Sequence, residues 1–228
     1  MFNKSGYYFI VLFALALIGF WETYFSKMLS ETNFYIHFHA TTMIIWFGML
    51  ITQAFLIRYK KYNLHRFIGR LSYGVFPAIV ISLVLLAHHQ ITIYDFGIKY
   101  FRLYVLFLQL SLLFVFIIAY SLAIVYRKSP MQHARYMICT SLTMIDPAVA
   151  RIPLNISELP FSYQVLTFGL TDLILMGLIF MERKQKMGRE VFPIMLTVFI
   201  FFQTLNLTWT RSRLWDDFAL WFAKLPLT

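Results

Sequence analysis

Seven stretches of the chain, at 7–25, 34–57, 67–87, 102–126, 134–152, 161–181 and 190–209, are almost continuously apolar, and short polar segments separate them. A helix needs roughly 20 residues to cross about 30 Å of hydrocarbon, so each stretch has the length of a membrane span. The pattern predicts an all-α integral membrane bundle of about seven transmembrane helices, forming a single membrane domain over 1–228. The fifth stretch is the most interrupted, with Asp146 and Pro147 inside it and Arg151 at its end. After the seventh comes RSRLWDDFALWFAKLPLT, where Trp215, Phe218, Phe222 and Leu225 recur at helical spacing. This predicts a short amphipathic C-terminal helix lying in the membrane interface.

Charge adds an orientation. The connections RYKKYNLHR, RKSPMQHAR and ERKQKMGRE, with Arg70 and Lys4, hold 13 of the 20 Lys and Arg. The positive-inside rule places these loops and the N-terminus in the cytoplasm and the C-terminus outside. The expected location is a bacterial inner membrane, crossed several times. The net charge of +10 then reads as loops facing anionic lipid, not as a nucleic-acid surface. Composition agrees with a membrane chain: 60% of residues are hydrophobic and only 13% charged, where a soluble domain is nearer a quarter charged. Cys139, the single cysteine, has no partner for an intramolecular disulfide and reads as a small core residue. No GxSxG, GxGxxG or GxxxxGK[ST] motif is present, which speaks against a serine hydrolase or a nucleotide-binding protein. The seventh span has no lysine for a retinal Schiff base.

Polar groups at membrane depth cost at least ~2.5–3.5 kcal/mol each on insertion scales, so they are the candidate sites. With that orientation, Glu22, His37, His39, His88, His89, Asp146, Arg151, Gln203 and Asn206 fall in the outer half, and Asp172 near the midplane. His65, Arg66, Arg70, Arg127, His133 and Arg135 fall at the inner boundary. In the second span, His39, Met43, Trp46, Leu50, Gln53 and Ile57 form one helical stripe. Lipid cannot satisfy His or Gln, so this stripe should face the bundle interior. His37, two residues away, points nearly opposite, which disfavours a two-histidine clamp on a regular helix. Thr140, Thr143 and Asp146 share a face in the fifth span, and Pro147 favours a kink beside the acid. That kink reads equally as a ligand-lining feature and as a packing device with Asp146 paired to Arg151.

The stretches HFHATTMIIWFGMLITQAFLIRYKKYNLHRFIGRLSY and RKSPMQHARYMICTSLTMIDPAVAR resemble a bacterial membrane family defined by a domain of unknown function. Its pattern is a His opening one helix, a Gln and an Arg closing it, HRxxGRxY opening the next, and a later HxRxM helix ending in Arg. The matching positions are His39, Gln53, Arg58, His65, Arg66, Gly69, Arg70, Tyr73, His133, Arg135, Met137 and Arg151. The resemblance covers spans two to five, with Tyr136 where the family often has Trp. It implies membrane topology and carries no activity. More distantly, the arrangement is similar to four-helix cytochromes of the b561 type.

Three functional readings follow. In the first, a haem- or quinone-linked redox protein, cofactor-binding residues would be His39, His65, His88, His89 and His133, with Arg66, Arg70 and Arg135 for haem propionates. In the second, a transporter or binding protein, Met43, Trp46, Gln53, Asp146, Arg151, Asp172, Gln203 and Asn206 would line an outer-facing cavity. In the third, a metal-dependent membrane enzyme, Glu22, His37, His39, His88 and His89 would hold a transition-metal ion. Against these stands an assembly role in a larger membrane complex or homo-oligomer, with the arginines holding lipid phosphates and the histidines capping helices.

Overall fold

The computed structural model describes residues 5–92, 99–152 and 163–228, and these are helical almost throughout, with no strand among them. Helix α1 spans Ser5–Gly19, α2 Phe34–Arg58, α3 Tyr62–Thr92, α4 Lys99–Val125 and α5 Pro130–Leu142. Then come α6 at Ile145–Val149, α7 at Tyr163–Glu182, α8 at Val191–Trp209 and α9 at Arg213–Ala223. Five of these, α2, α3, α4, α7 and α8, are long and apolar enough to cross a membrane. Helix α1 is apolar but only 15 residues long.

The expected fifth span, 134–152, is not one helix. It divides at Thr143 and Met144 into α5 and the five-residue α6. Pro147 is the cause: its ring clashes with the carbonyl four residues back, which is Thr143, and it has no N–H to donate there. The hydroxyls of Thr140, Ser141 and Thr143 each turn back onto the carbonyl three residues earlier, at 2.6, 2.7 and 2.9 Å, just before the break. The third helix, in contrast, is longer than the apolar stretch 67–87, because α3 begins at Tyr62 and runs 31 residues. HRFIGR therefore lies in helix, and the turn from α2 to α3 is only three residues, with Lys60 in the left-handed region at φ 59°.

Helix α2 packs along α3 as a hairpin, α1 lies against α2 and α6, and α4 contacts α3, α5, α8 and α9. Trp46 sits between Phe116 and Tyr120, and Tyr120 stacks on Phe76 at 4.1 Å. A second apolar cluster joins α4, α5, α7 and α8 through Val115, Ala119, Cys139, Leu175, Met195 and Phe199. Cys139 is fully buried there. The opposite faces of these helices carry exposed Ile44, Ile45, Ile81, Leu173, Phe180 and Phe201, a surface suited to lipid and not to water. Helix α9 has one apolar face, with Ala219 and Phe222 packed on Ala87, Leu103 and Leu106 of α3 and α4. Ser212 caps it through the N–H of Trp215.

One close approach positions the site described next. A Cβ on Gly19 would run into the backbone carbonyl of Ala148, so only glycine lets the end of α1 lie directly on α6.

Candidate functional site at the His39–Asp146 end

The Met43–Trp46–Leu50 stripe of α2 turns inward as its spacing requires. These residues pack as core, with Phe9, Ile79, Phe116 and Tyr120 filling the space around them. At the N-terminal end of the stripe, His39 Nδ1 lies 3.1 Å from Ser82 Oγ of α3. Ser82 is fully buried; its hydroxyl also lies 3.0 Å from Thr42 Oγ1 and 2.9 Å from the Ile79 carbonyl. Thr42 Oγ1 is also 2.8 Å from the His39 carbonyl, so His39, Ser82 and Thr42 form a short hydrogen-bond cluster in which each hydroxyl proton chooses between a side chain and a backbone carbonyl.

Asp146 on α6 is the second polar centre. It is 2% exposed, and its Oδ1 accepts from Gln164 Nε2 at 2.6 Å and from Thr167 Oγ1, both on α7. Its other oxygen, Oδ2, has no hydrogen-bond partner among the described residues. The expected pairing with Arg151 is not formed. Arg151 Nη1 donates to the Pro147 carbonyl at 2.7 Å, and its guanidinium lies over the Phe20 ring at 4.4 Å. Tyr104 of α4 lies within electrostatic reach of Asp146, and its hydroxyl is likewise buried without a hydrogen-bond partner. Arg151 with Glu22 borders an open cleft of about 530 Å³, whose wall is Leu17, Ile18, Trp21 and Ile152.

The other histidines go separate ways. His37 sits between Tyr24 Oη, 3.0 Å from its Nδ1, and the Glu31 carbonyl, 2.8 Å from its Nε2. The Glu31 carbonyl can only accept, so His37 carries a proton on Nε2 and Tyr24 donates to Nδ1. His88 is buried, with Nδ1 at 2.7 Å from Thr228 Oγ1 and its ring edge-on to Phe222. His89 Nε2 accepts from Asn33, whose side-chain oxygen caps α2. Among the described residues no three His, Cys, Asp or Glu side chains are grouped to hold a metal ion. The expected outer set of Glu22, His37, His39, His88 and His89 is thus dispersed over five surroundings. The cleft, and the small cavity at Gln203, have no histidine in their walls.

At the other end of the bundle the expected basic rim divides. Arg66 is exposed and donates to Asn63 at 2.6 Å, and Arg70 is exposed. Arg135 is not a rim residue. It is fully buried, pairs through Nε with Glu182 at the end of α7, and donates to the carbonyls of Met131 and Met187 at 3.2 and 2.9 Å. Gly188, at φ 74°, brings the loop between α7 and α8 onto that guanidinium. Gln132 adds a bond to Glu190 at 2.7 Å. His133 Nδ1 donates to the Ala123 carbonyl at 2.8 Å, and His65 lies within its electrostatic reach. Gln53 donates to the His65 carbonyl at 3.1 Å, while Gln53 Oε1 and His65 Nδ1 have no partner among the described residues.

In α8, Gln203 donates to Asp172 at 3.1 Å. Asn206, one turn on, is fully buried, and neither of its side-chain polar atoms has a partner among the described residues. Thr42, Ser82, Tyr104, Gln164, Thr167 and Glu182 are the functional or structural residues that sequence reading passed over. The hydroxyls are small and sit in apolar runs where nothing marks them. Glu182 opens the basic segment ERKQKMGRE and reads there as part of a solvated charge run.

This chain matches no family model, no curated protein and no solved structure.

Proposed function

We propose that this chain is a multi-pass membrane protein that binds or carries a proton or a small cation through Asp146. The carrying observation is that carboxyl group: 2% exposed, one oxygen held by Gln164 and Thr167, the other without a partner. Arg151 lies within electrostatic reach of Asp146 but forms no hydrogen bond or ion pair with it, and buried carboxyl groups left without a bonded cation at membrane depth exchange protons or bind cations. The His39–Ser82–Thr42 cluster supplies a second set of proton donors at the same end of the bundle. In this reading α1 and the α5–α6 unit also cross the membrane, making seven crossings. The three basic connections face the cytoplasm, so the C-terminus lies outside.

Proteoliposomes with a pH-sensitive dye inside test the reading. An imposed pH gradient, with and without sodium or potassium, is expected to decay about tenfold faster with the wild-type protein than with Asp146→Asn, a barrier difference of ~1.4 kcal/mol. Equal decay for the two, with Asp146→Asn retaining its helical circular dichroism, sinks the reading.

A quinone-linked redox role is the second reading. One observation favours it: His65 Nδ1 and Gln53 Oε1 stand without partners beside His133, and a quinone carbonyl accepts hydrogen bonds from a group such as the imidazole N–H. For a haem, His89 Nε2 is taken by Asn33, while His88 bonds Thr228 through Nδ1 and keeps Nε2 without a partner among the described residues. An absorption spectrum of the purified protein decides: a Soret band that shifts with dithionite would support the haem reading.

A further inference from the structure

Glu22 and Arg151 border the same cleft, yet they form no ion pair with each other. Arg151 is held in place from behind. One N–H goes to the Pro147 carbonyl, and the Phe20 ring lies under the guanidinium. Those contacts occupy one of its five N–H donors and leave the rest for a ligand. Glu22 contributes only its backbone carbonyl to the surrounding turn, at 3.5 Å from Ser26 Oγ. The cleft thus presents a fixed cation and an anion to one volume of about 530 Å³.

The rest of its wall is apolar and ordered along the helix. Ala14, Leu17 and Ile18 share one face of α1. Past Gly19 the chain turns less regularly, with Phe20 N–H on the Ala16 carbonyl at 2.9 Å and Trp21 N–H on the Ile18 carbonyl at 3.2 Å, and it brings Trp21 and Glu22 to the same cleft. The wall therefore grades from methyl groups through an indole to a carboxylate, as a bilayer grades from acyl chain to headgroup. Trp is the residue suited to that boundary. Close contact of Gly19 with Ala148 fixes the two walls relative to each other.

We infer that this cleft binds a zwitterionic phospholipid with a primary ammonium headgroup. The phosphate lies at Arg151 and the ammonium at Glu22. One acyl chain runs along Leu17 and Ile18 toward Ala14. Both bonds are charge-assisted, and the ammonium adds a full ion pair at Glu22 where phosphatidylglycerol brings only neutral hydroxyls. A choline headgroup has no N–H for the carboxylate.

The test uses the intact protein in lipid nanodiscs containing phosphatidylethanolamine, phosphatidylglycerol or phosphatidylcholine with brominated chains. Trp21 is the reporter, isolated by subtracting Trp21→Phe. The ethanolamine lipid is expected to quench Trp21 at about tenfold lower mole fraction than either other lipid. Glu22→Gln is expected to remove that preference while Arg151→Lys retains it. Equal quenching by all three lipids, or a preference that survives in Glu22→Gln, overturns the inference. Circular dichroism of each variant establishes that the helices remain.

Discussion

Helix α7 touches two buried acids, one near each end, and they are treated in opposite ways. Thr167, near its start, helps hold Asp146, while Glu182, its last residue, holds Arg135. The two positions are about 22 Å apart at 1.5 Å per residue. At the Glu182 end, acid and guanidinium are both out of solvent, and the Met131 carbonyl of α5 and the Met187 carbonyl of the α7–α8 loop join them. That arrangement closes the charge and ties the α7–α8 loop to α5. At the Asp146 end no cation bonds the acid; each acid keeps one oxygen without a hydrogen-bond partner among the described residues, Oδ2 of Asp146 and Oε1 of Glu182, so the difference lies in the bonded guanidinium. Equal burial therefore serves two purposes. A paired charge is a fastener, and removing one partner leaves the other stranded. An unpaired one is, under the proposed function, where a proton or cation arrives and leaves.

The sharpest way to break this contrast is Glu182→Ala. It strands the Arg135 guanidinium and is expected to cost ~3–5 kcal/mol, read as a drop in thermal unfolding midpoint in detergent. The double change Arg135→Met with Glu182→Met should recover most of that loss. If Glu182→Ala unfolds no earlier than wild type, the pair is not a fastener. Next in size is Gly19→Ala. The added methyl meets the Ala148 backbone and should cost ~1–3 kcal/mol by overpacking, in the same unfolding assay. A neutral result would mean α1 and α6 do not grip each other.

Smaller again is Ser82→Ala, which takes a partner from both His39 and Thr42. Interhelical hydrogen bonds in membranes average ~0.6 kcal/mol, so a loss near that value is expected. Hydrogen exchange should rise in the first turns of α2. The smallest stability effect belongs to Asp146→Asn. The amide oxygen still accepts from Gln164 and Thr167, so unfolding should move by less than the ~0.6 kcal/mol of Ser82→Ala. A large loss on Asp146→Asn would make the acid a fastener like Glu182 and erase the comparison.

The apolar periodicity of α2 showed which face turns inward, and His39 and the Trp46 stripe lie where it placed them. The same reading spread Glu22 and the outer histidines into one metal set, because depth along a helix is legible and azimuth between helices is not. Pro147 was visible as a kink. That it ends α5 altogether depends on Thr143 standing four residues before it, with three hydroxyls already drawing on the preceding carbonyls.

The amino-acid sequence by itself determined an all-helical chain, five helices of membrane-scale length and the buried face of α2. These follow from local rules: 1.5 Å of rise per residue, 3.6 residues per turn, and the cost of leaving a polar group in hydrocarbon. Only the tertiary structure decided which polar groups meet. His39 finds Ser82 43 residues away, Arg135 finds Glu182 47 away, and Asp146 finds Thr167 21 away. Those partnerships depend on the register between packed helices, where a single residue's rotation of about 100° exchanges one neighbour for another. No spacing within one helix encodes that rotation, so the paired acid and the unpaired one look alike until the helices are assembled.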